Sequence, residues 1–173
     1  MSEAAEYSGV EALRNGHRVE IRALRPDDRA DLITAVGRTS AESFYRRFFG
    51  VKHEFTEQEV ASFLIIDFID HVALVAVVEE GERSAIVGGG RYIVVEPGKA
   101  EMAFAVIDEY QGQGIGAALM RHLAAIARRT GLSELIAEVL PGNIPMLRVF
   151  EKAGFGFSAR HGPGVVHVAL RLV

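Results

Sequence analysis

Apolar and polar residues alternate along the chain with two different periods, and the change between them predicts the order of elements. The segment from Val19 to Leu24 alternates like a half-buried strand. Pro26 and the two aspartates after it are typical of a helix start, and this helix is expected to end at Gly37. A cap at Ser40 and a capping box beginning at Thr56 predict two further helices.

After these helices the period shortens to two. The segments HVALVAVVEEG, AIVGGGRYIVV and KAEMAFAVI predict strands, and the short turns between them favour an antiparallel meander. A long amphipathic helix ending at Gly131, a strand (LIAEVL), a short helix from Asn143 to Ala153 and two closing strands follow. The pattern predicts an α/β fold with a mixed sheet of about seven strands and about four to five helices.

Residues 1–17 show no periodicity, which predicts a flexible N-terminus followed by a single domain over residues 18–173. Hydrophobic residues make up 49% of the chain and charged residues 24%, as in ordinary globular domains. No apolar run is long enough to span a bilayer, and the acidic first residues do not resemble a secretory signal. We therefore expect a cytoplasmic protein that does not act at a membrane.

Charge and cysteine content exclude several classes of function. The net charge is −4 and the basic residues are scattered among acidic ones, which argues against nucleic-acid binding. The chain has no cysteine, so disulfides, thiolate metal sites and a cysteine nucleophile are excluded. The six histidines lack metal-ligand spacing, and no metal site is expected.

A glycine-rich loop joins the strand KAEMAFAVI to the long helix. Gly112, Gly114 and Gly116 would let backbone N–H groups approach an anion at the helix N-terminus, and a pyrophosphate suits such a site. The G-x-G-x-G spacing differs from that of dinucleotide-binding folds, and the loop lacks the G-K-[ST] of a P-loop. A glycine-rich turn without a ligand remains the alternative.

Two motifs carry a family resemblance. The segment Gln111-Gly-Gln-Gly-Ile-Gly116 resembles the acetyl-CoA signature of the GNAT superfamily of N-acyltransferases. The segment from Asn143 to Phe155 is similar to the family's second CoA-contacting block. On the N-terminal side, RPDDRADL, TSAESFYRRFF and DHVALVAV resemble the acetyltransferase domain of bacterial protein-lysine acetyltransferases of the Pat type.

The resemblance implies a GNAT-like fold with acetyl-CoA as cosubstrate and no metal. It implies that strand backbone pairs with the pantetheine arm, that the glycine loop holds the pyrophosphate, and that Pro141-Gly142 splays two central strands apart. The cofactor-binding residues it indicates are Phe104, Ala105, Val106, Gln111, Gly112, Gln113, Gly114, Ile115, Gly116, Ala117 and Asn143.

Two carboxylates are candidate general bases. A lysine-like amine has a pKa near ~10.4 and must lose a proton before it attacks, so a nearby carboxylate is needed. Glu101 resembles the base position of several lysine acetyltransferases; a solvated strand-end glutamate is the alternative. Glu138 lies on the next strand, where a partnership with an arginine is the alternative. Phe150 stands where many family members have a tyrosine acid, so that role is vacant.

These features predict an N-acetyltransferase that moves an acetyl group from acetyl-CoA to a primary amine by direct, base-assisted attack. The Pat-type resemblance favours a protein lysine as acceptor, with an acyl-CoA synthetase as target. It is compatible with a homodimer. The alternatives are a small-molecule amine acetyltransferase and a non-catalytic acyl-CoA-binding sensor.

Overall fold

Eight strands form one mixed sheet in the computed structural model, which describes residues 6–13, 16–37, 67–139, 141–142 and 144–172. The helices predicted at Ser40 and Thr56 lie outside these residues. The strands are β1 (Ser8–Ala12), β2 (Arg18–Ala23), β3 (His71–Glu80), β4 (Arg83–Glu96), β5 (Lys99–Val106), β6 (Glu134–Val139), β7 (Gly156–Gly162) and β8 (Val165–Arg171).

The described residues contain three α-helices. They are α1 (Arg29–Gly37), α2 (Ile115–Arg129) and α3 (Ile144–Glu151). Short 3-10 turns at Pro26–Asp28 and Asp108–Tyr110 lead towards α1 and α2. The predicted end of the first helix at Gly37 is confirmed, and none of the described helices is long and apolar enough to cross a membrane.

The sheet has the order β1-β2-β3-β4-β5-β6-β8-β7. Its neighbouring strands are antiparallel, except that β5 and β6 run parallel, as expected for strands joined through a crossover helix such as α2. The parallel register covers Lys99 to Glu101 on β5, against Glu134 to Ile136 on β6. Beyond these residues the two strands part, so the sheet opens at their C-terminal ends.

Helix α2 packs against one face of the sheet, named here the α2 face. Its residues Leu119 and Leu123 are fully buried in a core cluster that includes residues from the described strands β2 to β6 and β8. Glycines on β4 allow this close approach: a Cβ at Gly88 would lie 3.2 Å from Cγ2 of Ile115 and 3.5 Å from Cδ1 of Leu119. The α/β class and mixed sheet predicted from the sequence are confirmed.

The structure has a strand, β1, within the N-terminal residues for which the sequence pattern predicted no strand. Strand β1 pairs with β2 from Ser8 opposite Arg22 to Ala12 opposite Arg18, and it makes the sheet one strand larger than predicted. Its one large apolar side chain, Val10, is 59% exposed, so the strand lacks the alternating apolar pattern that signals burial.

Polar contacts with α2 hold this edge strand in place. The Tyr7 hydroxyl and the Glu11 carboxylate both contact the His122 imidazole, one at each ring nitrogen. Glu11 also forms an ion pair with Arg121. We call this group of Tyr7, Glu11, Arg121 and His122 the N-terminal brace. It joins residues more than a hundred positions apart, and local periodicity carries no signal of it.

Candidate active site

A cleft of about 660 Å³ opens where β5 and β6 part. Its walls come from the ends of these strands, the glycine turn, the first turns of α2, and α3. These walls surround the opening that begins where the parallel register ends, at Glu101 and Ile136. The strands already part after Ile136, several residues before Pro141-Gly142, the pair predicted to splay them.

The end of β5 presents one free backbone edge to the cleft. On its other edge Phe104, Ala105 and Val106 pair with Gly90, Gly89 and Gly88 of β4. Towards β6 these three residues have no strand partner in the described ranges. Apart from the Val106 carbonyl, which accepts a hydrogen bond from Gln111, the strand N–H and C=O groups on this side can pair with an extended ligand, which is the role predicted for this segment.

The glycine turn gives α2 an open N-terminus. Gly112 and Gly114 have φ values of 80° and 96°, in the left-handed region that glycine adopts without steric cost. Gly114 is the N-cap residue and supplies no side-chain hydrogen bond, so the first N–H groups of the helix lack a side-chain cap. These N–H groups and the helix dipole together favour an anion at this point.

Gly116 differs from the other two glycines. Its φ is not positive, and a Cβ built on it meets no atom within 4 Å. Neither backbone conformation nor internal packing therefore requires a glycine at this position. Gly116 lines the cleft together with Ala117, so the missing side chain enlarges the space above the helix N-terminus.

The remaining predicted cofactor-binding residues have different positions. Gln111 lines the cleft, but its side-chain amide donates a hydrogen bond of 3.0 Å to the Val106 carbonyl and so closes the turn. Ile115 also lines the cleft and is 1% exposed. Gln113 is not among the lining residues. Asn143 lies outside the residues that the structure describes.

Both candidate bases lie on the face of the sheet opposite α2, named here the second face. Phe104 belongs to the α2 face, because a Cβ at Gly90 would meet both its ring and Leu123. Glu101 lies three positions earlier on β5 and, by strand alternation, points to the second face. Glu101 pairs with Ile136, two residues before Glu138, so Glu138 shares that face.

The two carboxylates differ in their relation to the cleft. Glu138 is a lining residue and Glu101 is not. Glu101 instead marks the last parallel pair before the strands part, where the second face meets the opening. The ion-pair partner of Glu138 is a histidine, not the arginine considered as the alternative to a catalytic role: its Oε1 lies 3.7 Å from Nδ1 of His167.

An arginine does lie near the other carboxylate. Arg91 on β4 is partly buried, and burial lowers the pKa of its guanidinium while Glu101 counteracts this effect. Burial and the Arg91 charge also lower the pKa of His71, whose Nε2 is buried without a hydrogen-bond partner in the described part of the chain. Glu101 therefore lies beside the Arg91 guanidinium on the second face.

Phe150 fills the position of the absent tyrosine acid with an apolar ring. It lines the cleft, is 1% exposed, and lies with its ring centre 6.0 Å from that of Phe104. A phenyl ring donates no proton, so this position in the cleft wall supplies no general acid, as predicted from the sequence.

Sequence reasoning missed three basic residues of the cleft. Arg121 projects from α2, and Arg148 and Lys152 lie at the end of α3, four residues apart on one side of the helix. The i, i+4 spacing of the last two was the available signal. Arg148 and Lys152 give the cleft a positive contribution that suits a polyanionic ligand, whereas the charge of Arg121 is offset by its ion pair with Glu11.

Comparison with known proteins agrees with this geometry. Residues 38–155 match the Acetyltransferase (GNAT) family, over more than half of the chain. The chain belongs to the GNAT acetyltransferase family. The solved structure of yncA from Salmonella typhimurium, described with its cofactor acetyl-CoA, has 19% identity and a TM-score of 0.71 and shares the fold.

Three further relatives have higher sequence identity to this chain. This GNAT acetyltransferase is 37% identical over 127 residues to Acetyltransferase PA5475 of Pseudomonas aeruginosa, covering 73% of this chain and 68% of the relative. It is 31% identical to Acetyltransferase Pat of Mycolicibacterium smegmatis, covering 82% of this chain but only 42% of that longer protein. The GNAT domain of S. lividans PAT has 33% identity and a TM-score of 0.85, with 95% and 96% of the two chains covered.

The family and its relatives establish an acetyl-CoA-dependent acetyltransferase that acts on an amine acceptor. The groups that line the cleft can therefore be compared with those that acetyl-CoA requires. Its pyrophosphate needs N–H donors and its pantetheine arm needs a free strand edge. The chain offers both, at α2 and β5, on adjoining walls of one cleft.

Proposed function

We propose that this enzyme acetylates lysine side chains of a protein, with an acyl-CoA synthetase as the class of target. The observation that carries the proposal is the opening between β5 and β6, which connects the cleft to a carboxylate-bearing second face. The similarity to the GNAT domain of S. lividans PAT along almost the whole chain supports a protein acceptor.

In this proposal acetyl-CoA lies along the cleft from α2 to the parting of the strands. The backbone of Phe104 to Val106 pairs with the pantetheine arm, as an added strand would. The N–H groups from Gly112 to Ala117 hold the pyrophosphate, supported by the helix dipole. Arg148 and Lys152 contribute cationic charge along the walls. The thioester then lies near the point where β5 and β6 separate.

Glu101 is proposed as the general base. It lies at the last parallel pair before the opening, so it is next to the place where the thioester and an amine from the second face meet. Arg91 on the neighbouring strand β4 interacts electrostatically with this carboxylate. Glu101 takes a proton from the lysine ammonium, directly or through water, and frees the nitrogen lone pair.

The amine nitrogen then attacks the acetyl carbonyl carbon. A C–N bond forms, the C–S bond breaks, the thiolate of CoA leaves with the electron pair, and the nitrogen releases its second proton to water to give the neutral amide. A backbone N–H on β5 stabilises the oxyanion of the tetrahedral intermediate. Phe150 gives the departing thiolate no proton, and a thiol pKa near ~8.5 makes this unassisted departure feasible.

The test is acetyl transfer from labelled acetyl-CoA to a purified acyl-CoA synthetase, with the modified lysine located by mass spectrometry. Glu101→Gln is expected to lower kcat by about a hundredfold or more, within the range for losing a general base. Glu134→Gln is the matched control on the neighbouring strand β6. A steady rate with small amines and none with any folded protein would instead assign a metabolite acceptor.

A further inference from the structure

A row of polar residues crosses the second face beside the cleft. Glu138 on β6 pairs with His167 on β8, and His167 pairs with Arg160 on β7. Residues paired across antiparallel strands point to the same face, so the row extends from the cleft wall to the edge of the sheet. Among these three, Glu138 is the residue that lines the cleft.

Glu138 lies farther along the opening than the proposed base. Glu101 is level with Ile136, so Glu138 is two residues, or about 6.6 Å, beyond it along the strand direction. An amine entering from the second face towards the thioester would pass the carboxylate of Glu138 next to that of Glu101. The two carboxylates therefore occupy successive positions on one entry path.

The contact between Glu138 and His167 leaves the carboxylate available. The distance of 3.7 Å from Nδ1 to Oε1 is longer than a hydrogen bond. The two side chains are 40% and 49% exposed for His167 and Glu138, so both remain accessible to a ligand. Exposed ion pairs of this type contribute little to folding, and this pair can be altered without unfolding the sheet.

Resting on the proposed function, we propose that Glu138 binds the acceptor ammonium before proton transfer and that His167 positions the Glu138 carboxylate. Glu138 is then a binding residue for the acceptor, and Glu101 remains the base that takes the proton. The substrate class follows from this division. The acceptor is a cationic primary amine on an extended side chain that can pass Glu138 and reach the thioester.

The positioning role of His167 depends on its ring nitrogen. At 3.7 Å from Oε1, Nδ1 can hold that oxygen through a bridging water and leave the other carboxylate oxygen for the acceptor. Gly162 allows the ring to lie close to β7, since a Cβ there would approach Nε2 of His167 to 3.2 Å. Asparagine at position 167 would keep a donor near the Nδ1 position, whereas leucine would remove it.

The experiment measures kcat and KM for a lysine-containing peptide at saturating acetyl-CoA. Glu138→Gln is expected to raise the acceptor KM about tenfold with kcat within about threefold of wild type, the signature of lost uniform binding. His167→Leu should raise KM about threefold, and His167→Asn should restore most of it. In the double variant Glu138→Gln/His167→Leu, KM should equal that of Glu138→Gln alone.

Matched controls are Glu134→Gln on the same strand and face, and His161→Leu on β7. Both should leave acceptor KM unchanged. A large fall in kcat with unchanged KM in Glu138→Gln would make Glu138 the base and overturn the inference, as would unchanged KM and kcat. If wild type acetylates no lysine peptide or protein, the proposed function fails first, so the two failures are distinguishable.

Discussion

Gly90 shows how one missing side chain shapes the cofactor wall. A Cβ built there would lie 2.7 Å from Cδ1 of Phe104 and 3.1 Å from Cδ1 of Leu123. Real Cβ atoms do not approach ring atoms so closely, so the Phe104 ring occupies the space that a side chain on β4 would need. The same ring packs beside Phe150 in the cleft.

We therefore predict that Gly90→Ala destabilises the protein by about 1–3 kcal/mol, the usual cost of overpacking a core. Because Phe104 must move, the KM for acetyl-CoA should rise as well. Chemical denaturation and initial rates measure the two effects. Gly89→Ala is the matched control, since its Cβ would meet only the Leu74 carbonyl oxygen at 3.5 Å. Equal stability of the two variants would contradict the conclusion that the Phe104 ring fills the space beside Gly90.

At the residue scale, the sequence indicated the turn formed by the glycines more completely than it indicated where the two candidate carboxylates lie relative to the cleft. The left-handed φ values of Gly112 and Gly114 follow from a turn that opens a helix, which a local pattern can indicate. Glu101 and Glu138 both sit in strand patterns, and the pattern does not specify which strands part or where. Their different relations to the cleft depend on the register of β5 against β6, a contact between distant segments.

Helix α2 is the element that links fold and chemistry. Its apolar side is buried in the core, and its uncapped first turn lines the cleft. The sequence predicted this element well, because an amphipathic period over 15 residues is a strong signal. Strand β1 was missed because polar contacts at a distance, rather than an apolar face, hold it.

A substitution at Gly116, in the first turn of α2, should affect folding stability and cofactor binding differently. We predict that Gly116→Ala leaves stability unchanged or raises it by up to about 1 kcal/mol, because alanine is the better helix former and meets no neighbour. The affinity for acetyl-CoA should nevertheless fall about tenfold or more, as a methyl group enters the ligand space. Calorimetric titration gives the affinity, and thermal unfolding gives the stability.

Gly142→Ala is the control, since a Cβ there also meets nothing within 4 Å and Gly142 does not line the cleft. It should bind acetyl-CoA as wild type does. Full affinity in Gly116→Ala would show that the cosubstrate does not approach this turn.

At the scale of the molecule, the N-terminal brace joins the first strand of the sheet to the cofactor helix. Burial alone would raise the pKa of the Glu11 carboxyl, but hydrogen bonds from Arg121 and His122 hold it below its ordinary value of 4.5. A carboxyl group with a lowered folded-state pKa stabilises the protein above its unfolded-state pKa. That stabilisation is lost as the pH falls through the folded-state value.

We predict that Glu11→Gln lowers the free energy of unfolding by about 1 kcal/mol at pH 7, the scale of a partly exposed ion pair. The difference from wild type should shrink as the pH falls below about 4.5, because wild-type Glu11 then becomes neutral too. Urea denaturation across pH measures this. Glu82→Gln, in the turn between β3 and β4, should show no such difference. A difference that persists in acid would assign the effect to packing.

The short parallel register between β5 and β6 has a mechanical consequence. In the described part of the chain, two antiparallel ladders, β1 to β5 and β6 with β8 and β7, share a seam of three residue pairs. Because only this short register joins the two ladders, the width of the cofactor slot is set mainly by side-chain packing across the seam and not by hydrogen bonds inside either ladder.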